Sequence, residues 1–400
     1  MITTDILIAG GGIAGMSAAA RLAADGHEII LVDPAPASPD HNAANHPDLR
    51  TTAFLQPGIA TLTRAGAWQA MQDNGAMLRV MRIIDAGGAE RTPRQTADFD
   101  GIETGHGHFG WNITNRTART ALLARLAGLP NVQFLQGVAV TGMAPGTDTA
   151  TVTLSDQQTI ATRLVIAADG RDSALRDMAG ITHRRWQYDQ SALVFAVTHD
   201  RPHDNISTEI HRTGGPLTLV PMPDHNGKPC SSVVWMTPAR RADTLFAMDD
   251  ATLSQTLMDE TMGLFGTLAV TGGRAVWPMI SQIAARLTGP RLALIAEAAH
   301  VVPPIGAQGL NMSLHDIETL AGLLATARND GDDIGAARLL TRYHRRNFPR
   351  MVARVGGIDI LNRAAMAEPR PLRDLRCLGL TALNKIAPLR KLAIRAGIGE

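Results

Sequence analysis

Glycine, which disfavours regular structure, follows an apolar run at three points in this sequence that also carry acidic residues, and proline joins it at the third. The first is DILIAGGGIAGMSAAARLAADGHEIILVD, residues 5–33. Its apolar opening reads as a buried parallel strand. Gly10, Gly12 and Gly15 follow in G-x-G-x-x-G spacing, residues 16–24 read as an alanine-rich helix, and EIILVD reads as a second strand ending at Asp33. In such a unit the first glycine permits a tight turn, the second lets backbone approach a pyrophosphate, and the third lets helix pack on strand. The pyrophosphate sits on the helix N-terminus, here Ile13 and Ala14, where free N–H groups and the helix dipole favour negative charge. Asp33 is placed to accept the ribose hydroxyls of an adenosine. The glycine spacing alone also fits an empty α/β turn, and it does not separate NAD from FAD. The flanking strands and the acid point to a dinucleotide.

The second point is RLVIAADGRDSALR, residues 163–176, where Asp169 and Gly170 close an apolar strand before a return to helix. On its own this reads equally well as an ordinary strand-to-helix turn. The third is LIAEAAHVVPPIGAQGLNMS, residues 294–313. A strand ending near residue 295 runs into an irregular loop, and a long helix begins near Leu310. Ligands of open parallel sheets bind outside the carboxyl ends of the strands, so three such loops predict one extended ligand gripped at three points.

Together with DLRTTAF (48–54), NRTARTALLARL (115–126) and WQYDQSAL (186–193), these stretches resemble the class A FAD-dependent monooxygenases, the para-hydroxybenzoate hydroxylase group, and within it the ubiquinone-biosynthesis hydroxylases. The resemblance runs from residue 1 to about 360. It implies FAD as cofactor, with Gly10, Gly12, Gly15 and Asp33 on the ADP half, Arg50 and Arg116 reaching the phosphates and flavin side, and Asp169 with Gly170 near the flavin and pyrophosphate. Arginine suits such contacts because its planar fork pairs with phosphate through two bonds. The resemblance also makes Pro304, Gly306 and Gln308 the environment of the flavin ring. Backbone N–H groups from Gly306 through Gly309 and Leu310 to Asn311 would then face its pyrimidine edge and stabilise negative charge in the reduced ring. One departure stands out. The third motif of the family carries Gly-Asp, whereas this chain has Ala296-Glu297. Glu297 keeps an acceptor for a ribityl hydroxyl, and Ala296 adds a Cβ. His300 reads equally as a structural or a catalytic histidine.

What these loops need is a scaffold, and the rest of the sequence describes one. The predicted class is α/β: a dinucleotide-binding, Rossmann-like FAD domain with an inserted, mostly antiparallel substrate sheet and a helical C-terminal tail. The FAD domain is expected in three segments, 1–75, 99–180 and 281–360. The substrate sheet is expected over 76–98 and 181–280, where short β-prone runs such as SALVFAVTH and SSVVWMT lie between turns. Trp186, Tyr188, Trp235 and Trp277 read either as lining a pocket or as core. In the tail, 361–400, seven basic residues between Arg370 and Arg395 face one acid, Asp374, and Leu372, Leu375, Leu378, Leu383 and Ile386 cluster on one side of a predicted helix over 371–387. Such a segment can lie in a membrane interface or pack on the body with a solvated basic face.

Composition narrows the function classes. With 45% hydrophobic residues, 400 residues bury a sizeable core, and a formal net charge of +1 argues against a nucleic-acid partner. Cys230 and Cys377 match no metal or redox spacing, and the histidines form no ligand pattern, so no metal is expected. The N-terminal run lacks a basic region and reads as a strand, not a signal peptide, which predicts a cytoplasmic protein, with peripheral contact at the inner face of the membrane if the tail binds lipid. By resemblance the activity is ring hydroxylation of a polyprenylated phenol in ubiquinone biosynthesis through a flavin C4a-hydroperoxide. The implied co-substrates are O2 and NAD(P)H or a reductase protein, and other quinone-biosynthesis proteins are the implied partners. The alternatives are a flavin oxidoreductase that inserts no oxygen and a non-catalytic assembly protein of the same pathway.

Overall fold

Ile6, Leu7 and Ile8 are fully buried, as a parallel strand covered by helices on both faces requires. They belong to strand Ile2–Ala9 at the centre of a parallel array in the order Leu292–Leu294, Thr159–Ala167, Ile2–Ala9, Ile29–Asp33 and Val132–Gln136. Antiparallel strands at Thr288–Gly289, Val140–Pro145 and Ala150–Leu154 complete this eight-stranded sheet. Helices Ile13–Ala24 and Gln308–Asn329 pack together in its core. The computed structural model describes residues 2–36, 38, 50–86, 92–212, 214–366 and 370–398, without the side chains of 370–373, 375, 376, 384, 385, 387, 392, 396 and 398.

A second eight-stranded sheet forms a wall. Its order is His300–Val301, Leu268–Ala284, His183–His199, Lys228–Pro238, Gly215–His225, Ile206–Arg212, Val80–Asp85 and Gln95–Asp100. Its pairs are antiparallel except for Ile206–Arg212 beside Val80–Asp85, which is parallel. Successive side chains point to opposite faces of a strand. Leu193, Phe195 and Val197 therefore build one core with Leu217, Leu219, Leu253 and Leu257, roofed by the helix Asp250–Glu260. Ala192 and Val194 face the other way, toward open space. Trp235 and Tyr188 are buried core residues, and Trp186 donates from Nε1 to Asp359 at 2.9 Å; of the four candidate aromatics, Trp277 lines a cavity.

A small sheet of Thr51–Leu55, Gly110–Thr114 and Ala76–Leu78 ties the two large ones together. Asn112 Nδ2 donates to Pro221 O in the wall at 2.8 Å, and Leu55 N donates to Asn311 Oδ1 on the helix Gln308–Asn329 at 2.9 Å.

The tail is two helices, Arg370–Lys385 and Ala387–Ile398, with Pro388 in the first turn of the second, where its missing N–H costs nothing. It docks on the wall. Arg390 Nε donates to Glu103 at 2.8 Å, its guanidinium covers the Phe99 ring at 5.1 Å, and Leu380 and Ile394 are buried against Phe99 and Phe109. The expected apolar stripe needs correction. Leu378 is 66% exposed and Ile386 45% exposed, whereas Leu380 is the buried leucine; the side chains of Leu372 and Leu375 lie outside the described residues. The reason is that the helix is covered only where it meets the wall, which a stripe drawn from spacing cannot locate. No described helix is long and apolar enough to cross a membrane.

Helix Ala337–Met366 is moored to the wall by Asp359, which accepts from Tyr188 Oη at 2.6 Å, from Trp186 Nε1 at 2.9 Å and from Arg363 Nε at 2.9 Å. Burial works against its charge, but the bonds from Arg363, Tyr188 and Trp186 outweigh it and hold the carboxyl at about 2. A depressed carboxyl stabilises the fold above its unfolded value and loses that contribution as pH falls through its folded value. Asp359→Asn should therefore cost on the order of 1–2 kcal/mol near neutral pH, and the gap from wild type should close between about pH 4 and pH 2. Denaturant melts of both proteins across that range measure it.

Candidate active site

All three loops lie at the carboxyl ends of adjacent parallel strands, Ile2–Ala9, Thr159–Ala167 and Leu292–Leu294. The glycine turn is compressed: a Cβ on Gly15 would stand 1.8 Å from Gly10 O, so no side chain fits, and Gly10 itself is at φ +110° over Ala168. Gly12 is the reverse case, since a Cβ built on it meets nothing within 4 Å. It is also the N-cap of helix Ile13–Ala24, which carries no side-chain cap, so the first N–H groups at Ile13 and Ala14 open onto that space. Asp33 braces this turn. Its Oδ2 accepts from Gly11 N and its Oδ1 from Ala35 N at 2.8 Å.

The second loop is stitched to the third by a buried charge. Arg176, 1% exposed, donates to Arg171 O at 3.0 Å and to Ala298 O at 3.3 Å. Asp169 Oδ2 accepts from Leu175 N at 3.1 Å, while its Oδ1 is buried with no partner among the described residues. Burial raises this carboxyl above its ordinary value, against hydrogen bonds from Ser173 and the Leu175 amide. A buried acceptor with spare capacity suits a ligand hydroxyl. Gly170, at φ +87°, has open space at its Cβ position.

The third loop bridges both sheets. It leaves strand Leu292–Leu294, pairs His300 and Val301 with Ile283 and Gln282 of the wall, and enters helix Gln308–Asn329. Asp316 of that helix fixes it. Asp316 Oδ2 lies 2.7 Å from His300 Nε2 and 3.3 Å from Ala296 N, and its Oδ1 accepts from Asn347 at 3.1 Å. His300, 2% exposed, is thus a structural histidine. Gln308 and Asn311 turn their amides to the protein. Gln308 Nε2 donates to Gly306 O and Gly397 O, each at 2.8 Å, and Asn311 Nδ2 donates to Ala53 O at 2.8 Å. What they leave to a ligand is the backbone: the helix starts without a side-chain cap after Gly306 at φ +60° and Ala307 at φ +56°.

Pro304 divides two cavities. One, of about 250 Å³, is lined by Thr52, Gly306, Ala307, Gly309 and Leu310 and by Ser207, Glu209, Thr218 and Val220 of the wall. The other, of about 210 Å³, is lined by Arg50, Arg171, Trp277 and Glu297, with Pro303 and Pro304. They share Thr51, Val234, Val302 and Pro304, and so form one cleft. Arg50 lies 4.7 Å over the Trp277 ring, and Arg171 Nε is 3.2 Å from Glu297 Oε2. Arg116 is exposed on the first turn of helix Asn115–Ala127, whose Asn115 N donates to Arg50 O at 2.9 Å, so the two arginine segments are adjacent although Arg116 lines neither cavity.

The sequence profile of the family described as "FAD binding domain" matches residues 3–381. This chain belongs to that FAD-binding family. It is 31% identical over 395 residues to the ubiquinone hydroxylase UbiL of Rhodospirillum rubrum, covering 99% of this chain and 89% of that protein. It is 27% identical over 398 residues to the 3-demethoxyubiquinol 3-hydroxylase of Escherichia coli, covering 99% and 98%. The fold is shared with p-nitrophenol 4-monooxygenase PnpA from Pseudomonas putida, at TM-score 0.80 and 17% identity over 100% of this chain and 99% of that one. It is also shared with FAD-bound HpxO from Klebsiella pneumoniae, at TM-score 0.76 and 20% identity over 99% and 98%. The chain is an FAD-dependent monooxygenase of class A, with the α/β architecture of that class.

FAD fits what the residues present: an open cradle at Gly12 ahead of a helix without a side-chain cap, an idle buried oxygen on Asp169, and a second uncapped helix N-terminus, at Gln308, that lines a continuous cleft. Two residues with a part in the site escaped the sequence reading. Arg119, 8% exposed, donates to Gly11 O at 3.4 Å and Ser38 O at 3.0 Å, and it lies one helical turn after Arg116 in the same motif. Arg171 directly follows Asp169-Gly170. Both signals were local repeats of arginine inside a motif already marked.

The departure at Ala296-Glu297 acquires a physical meaning here. Ala296 has φ +56°, the left-handed region that glycine adopts freely, and its side chain is buried in the core. Holding alanine there costs roughly 1–2 kcal/mol, and glycine would return about half of that through its greater freedom when unfolded. Loss of the buried methyl, about 0.8 kcal/mol, offsets the remainder, so Ala296→Gly should leave stability within about 0.5 kcal/mol of wild type, read as the denaturation midpoint at constant slope.

Proposed function

We propose that this chain hydroxylates the aromatic ring of a polyprenylated phenol of ubiquinone biosynthesis, using FAD, O2 and reducing equivalents from NAD(P)H or a reductase protein. The observation that carries the reading is the cleft itself. It runs from Arg50, Arg171 and Glu297, past the third strand-end loop, into a chamber walled by the second sheet, in a chain that matches ubiquinone hydroxylases across nearly its whole length. Bound and reduced FAD would supply the electrons that activate O2, one atom of which enters the product while the other leaves as water. The protein's part is positioning. Gly10, Gly12, Ile13, Ala14 and Gly15 take the pyrophosphate, Asp33 the adenosine ribose, and Asp169, Gly170 and Glu297 the ribityl and pyrophosphate region. Arg50 and Arg116 supply positive charge beside them. Pro304, Gly306 and Gln308 shape the loop against the flavin ring, and the amides of Gly309, Leu310 and Asn311 favour negative charge at its edge, as a helix N-terminus does. Val220, Val234 and Val302 give the chamber apolar surface beside its polar lining.

The same reading includes contact with a membrane surface by the tail. Leu378, Ile386 and Leu389 are exposed, and Lys391 and Arg395 are exposed beside them in sequence, a pairing of apolar and basic groups suited to anionic lipid.

Gly12→Val should fold and purify colourless, without the flavin band near roughly 450 nm, because the side chain fills the cradle. Wild-type FAD-loaded protein given 18O2, a polyprenylated phenol and NADPH, or chemically reduced beforehand, should place one labelled oxygen in the product. Oxidation without label would instead make it a flavin oxidoreductase, and a protein that takes up no flavin would fit the assembly role. For the tail, Leu378→Glu with Leu389→Glu should keep FAD and lose co-sedimentation with anionic vesicles. Undiminished sedimentation would move the membrane contact elsewhere.

A further inference from the structure

A third cavity, of about 360 Å³, lies under the two tail helices. Its walls are apolar: Ile83 and Phe99 from the wall sheet, Ala365 from helix Ala337–Met366, and Leu380, Leu383 and Ile394 from the tail. It is not a separate chamber. Leu55, Met81, Phe109, Glu209 and Gly306 line both this cavity and the central one beside the loop that precedes helix Gln308–Asn329. At its other side stands Leu361, which lines the cavity and is 58% exposed, so the space reaches the surface there. Polarity therefore falls along one path, from Arg50, Arg171 and Glu297, past the central chamber, into a hydrocarbon-lined passage.

We propose that this passage is a binding site for a linear isoprenoid chain, and that the tail helices are its roof. The assignment of the chain as part of a substrate rests on the function proposed above, since it is the central chamber that would hold the ring bearing it. A fatty acid is a poorer occupant. Its carboxylate at the junction would meet Glu209, and the residues lining the passage include no lysine or arginine. A neutral chain on a neutral ring meets no such opposition, and burial of its carbon surface supplies binding free energy in proportion to area. Glu209 and His211, paired through Oε1 and Nε2, are the titratable groups lining the passage, and Glu209 stands where it opens into the chamber. The tail then has two faces with two tasks. The face with Leu380, Leu383 and Ile394 closes the passage, and the exposed Leu378 and Leu389 look outward.

The test uses the FAD-loaded full chain and three probes: farnesol, 2-farnesylphenol and 2-methylphenol, each titrated calorimetrically. Two separate variants narrow the passage from different helices, Ala365→Phe and Ala393→Phe, with flavin content and melting temperature confirming that each is folded. Farnesol should bind wild type and lose roughly tenfold or more in affinity in both variants, with 2-farnesylphenol losing far more than 2-methylphenol. Absence of farnesol binding to wild type, or affinities unchanged in both folded variants, overturns the passage. If farnesol behaves as expected while no phenol is hydroxylated, the isoprenoid site stands and the proposed function fails. Hydroxylation of 2-methylphenol without any effect of tail length or of the variants has the opposite meaning.

Discussion

A single buried carboxylate holds the active-site loop in place. Asp316 is 5% exposed and sits about two turns into helix Gln308–Asn329. It collects His300, the Ala296 amide and Asn347. Hydrogen bonds to a charged group are each worth about 1.5–3 kcal/mol, and a buried carboxylate stripped of them becomes a liability of similar size. Three partners from a loop, a strand and a neighbouring helix therefore settle one geometry. The loop between residues 296 and 308 can afford left-handed residues at Ala296, Gly306 and Ala307 only because both its ends are held.

That loop is also where the two large sheets meet. Its first residues continue a parallel strand, and its His300–Val301 pair adds an edge to the wall. The cleft is thus the gap left when two separately built sheets are joined by a strut of fixed length. Backbone amides face the gap because the side chains that could have capped them are spent elsewhere: Gln308 on Gly306 and Gly397, Asn311 on Ala53 and Leu55. Electrostatics follow from the same arrangement. The N-terminus of helix Gln308–Asn329 and the guanidinium groups of Arg50 and Arg171 bias the gap toward anions, against the carboxyl groups of Glu209 and Glu297 in its lining.

The wall sheet acts on this gap through its alternation. Phe195 and Leu219 bury one face, while Val194, Val220 and Glu209 furnish the other. A one-residue slip in register would exchange the two, so the same contacts that stabilise the sheet also select the lining of the chamber. The tail extends this lining by covering Phe99 and Phe109, two aromatic residues that the sheet alone would leave to water.

The family resemblance implied FAD, whereas sequence pattern alone determined the three loops, their order and the alternating wall. Each rests on a local backbone requirement: a turn that admits only glycine, as at Gly15, an acid at a strand end, as at Asp33, or a period of two, as in residues 191–199. Such requirements are written within a few residues and survive without knowledge of contacts. Tertiary structure decided what depends on distant pairs. Sequence reading offered the backbone of Gln308 and Asn311 to a ligand and said nothing of their side chains, whose amides serve as struts to partners 89 and 258 positions away. His300 could not be assigned until Asp316 stood beside it, and Arg119 acquired a role only when its helix crossed the glycine turn. In the tail, spacing proposed a stripe through Leu378, but packing chose Leu380, since an amphipathic pattern gives the width of an apolar face and not the neighbour that will cover it.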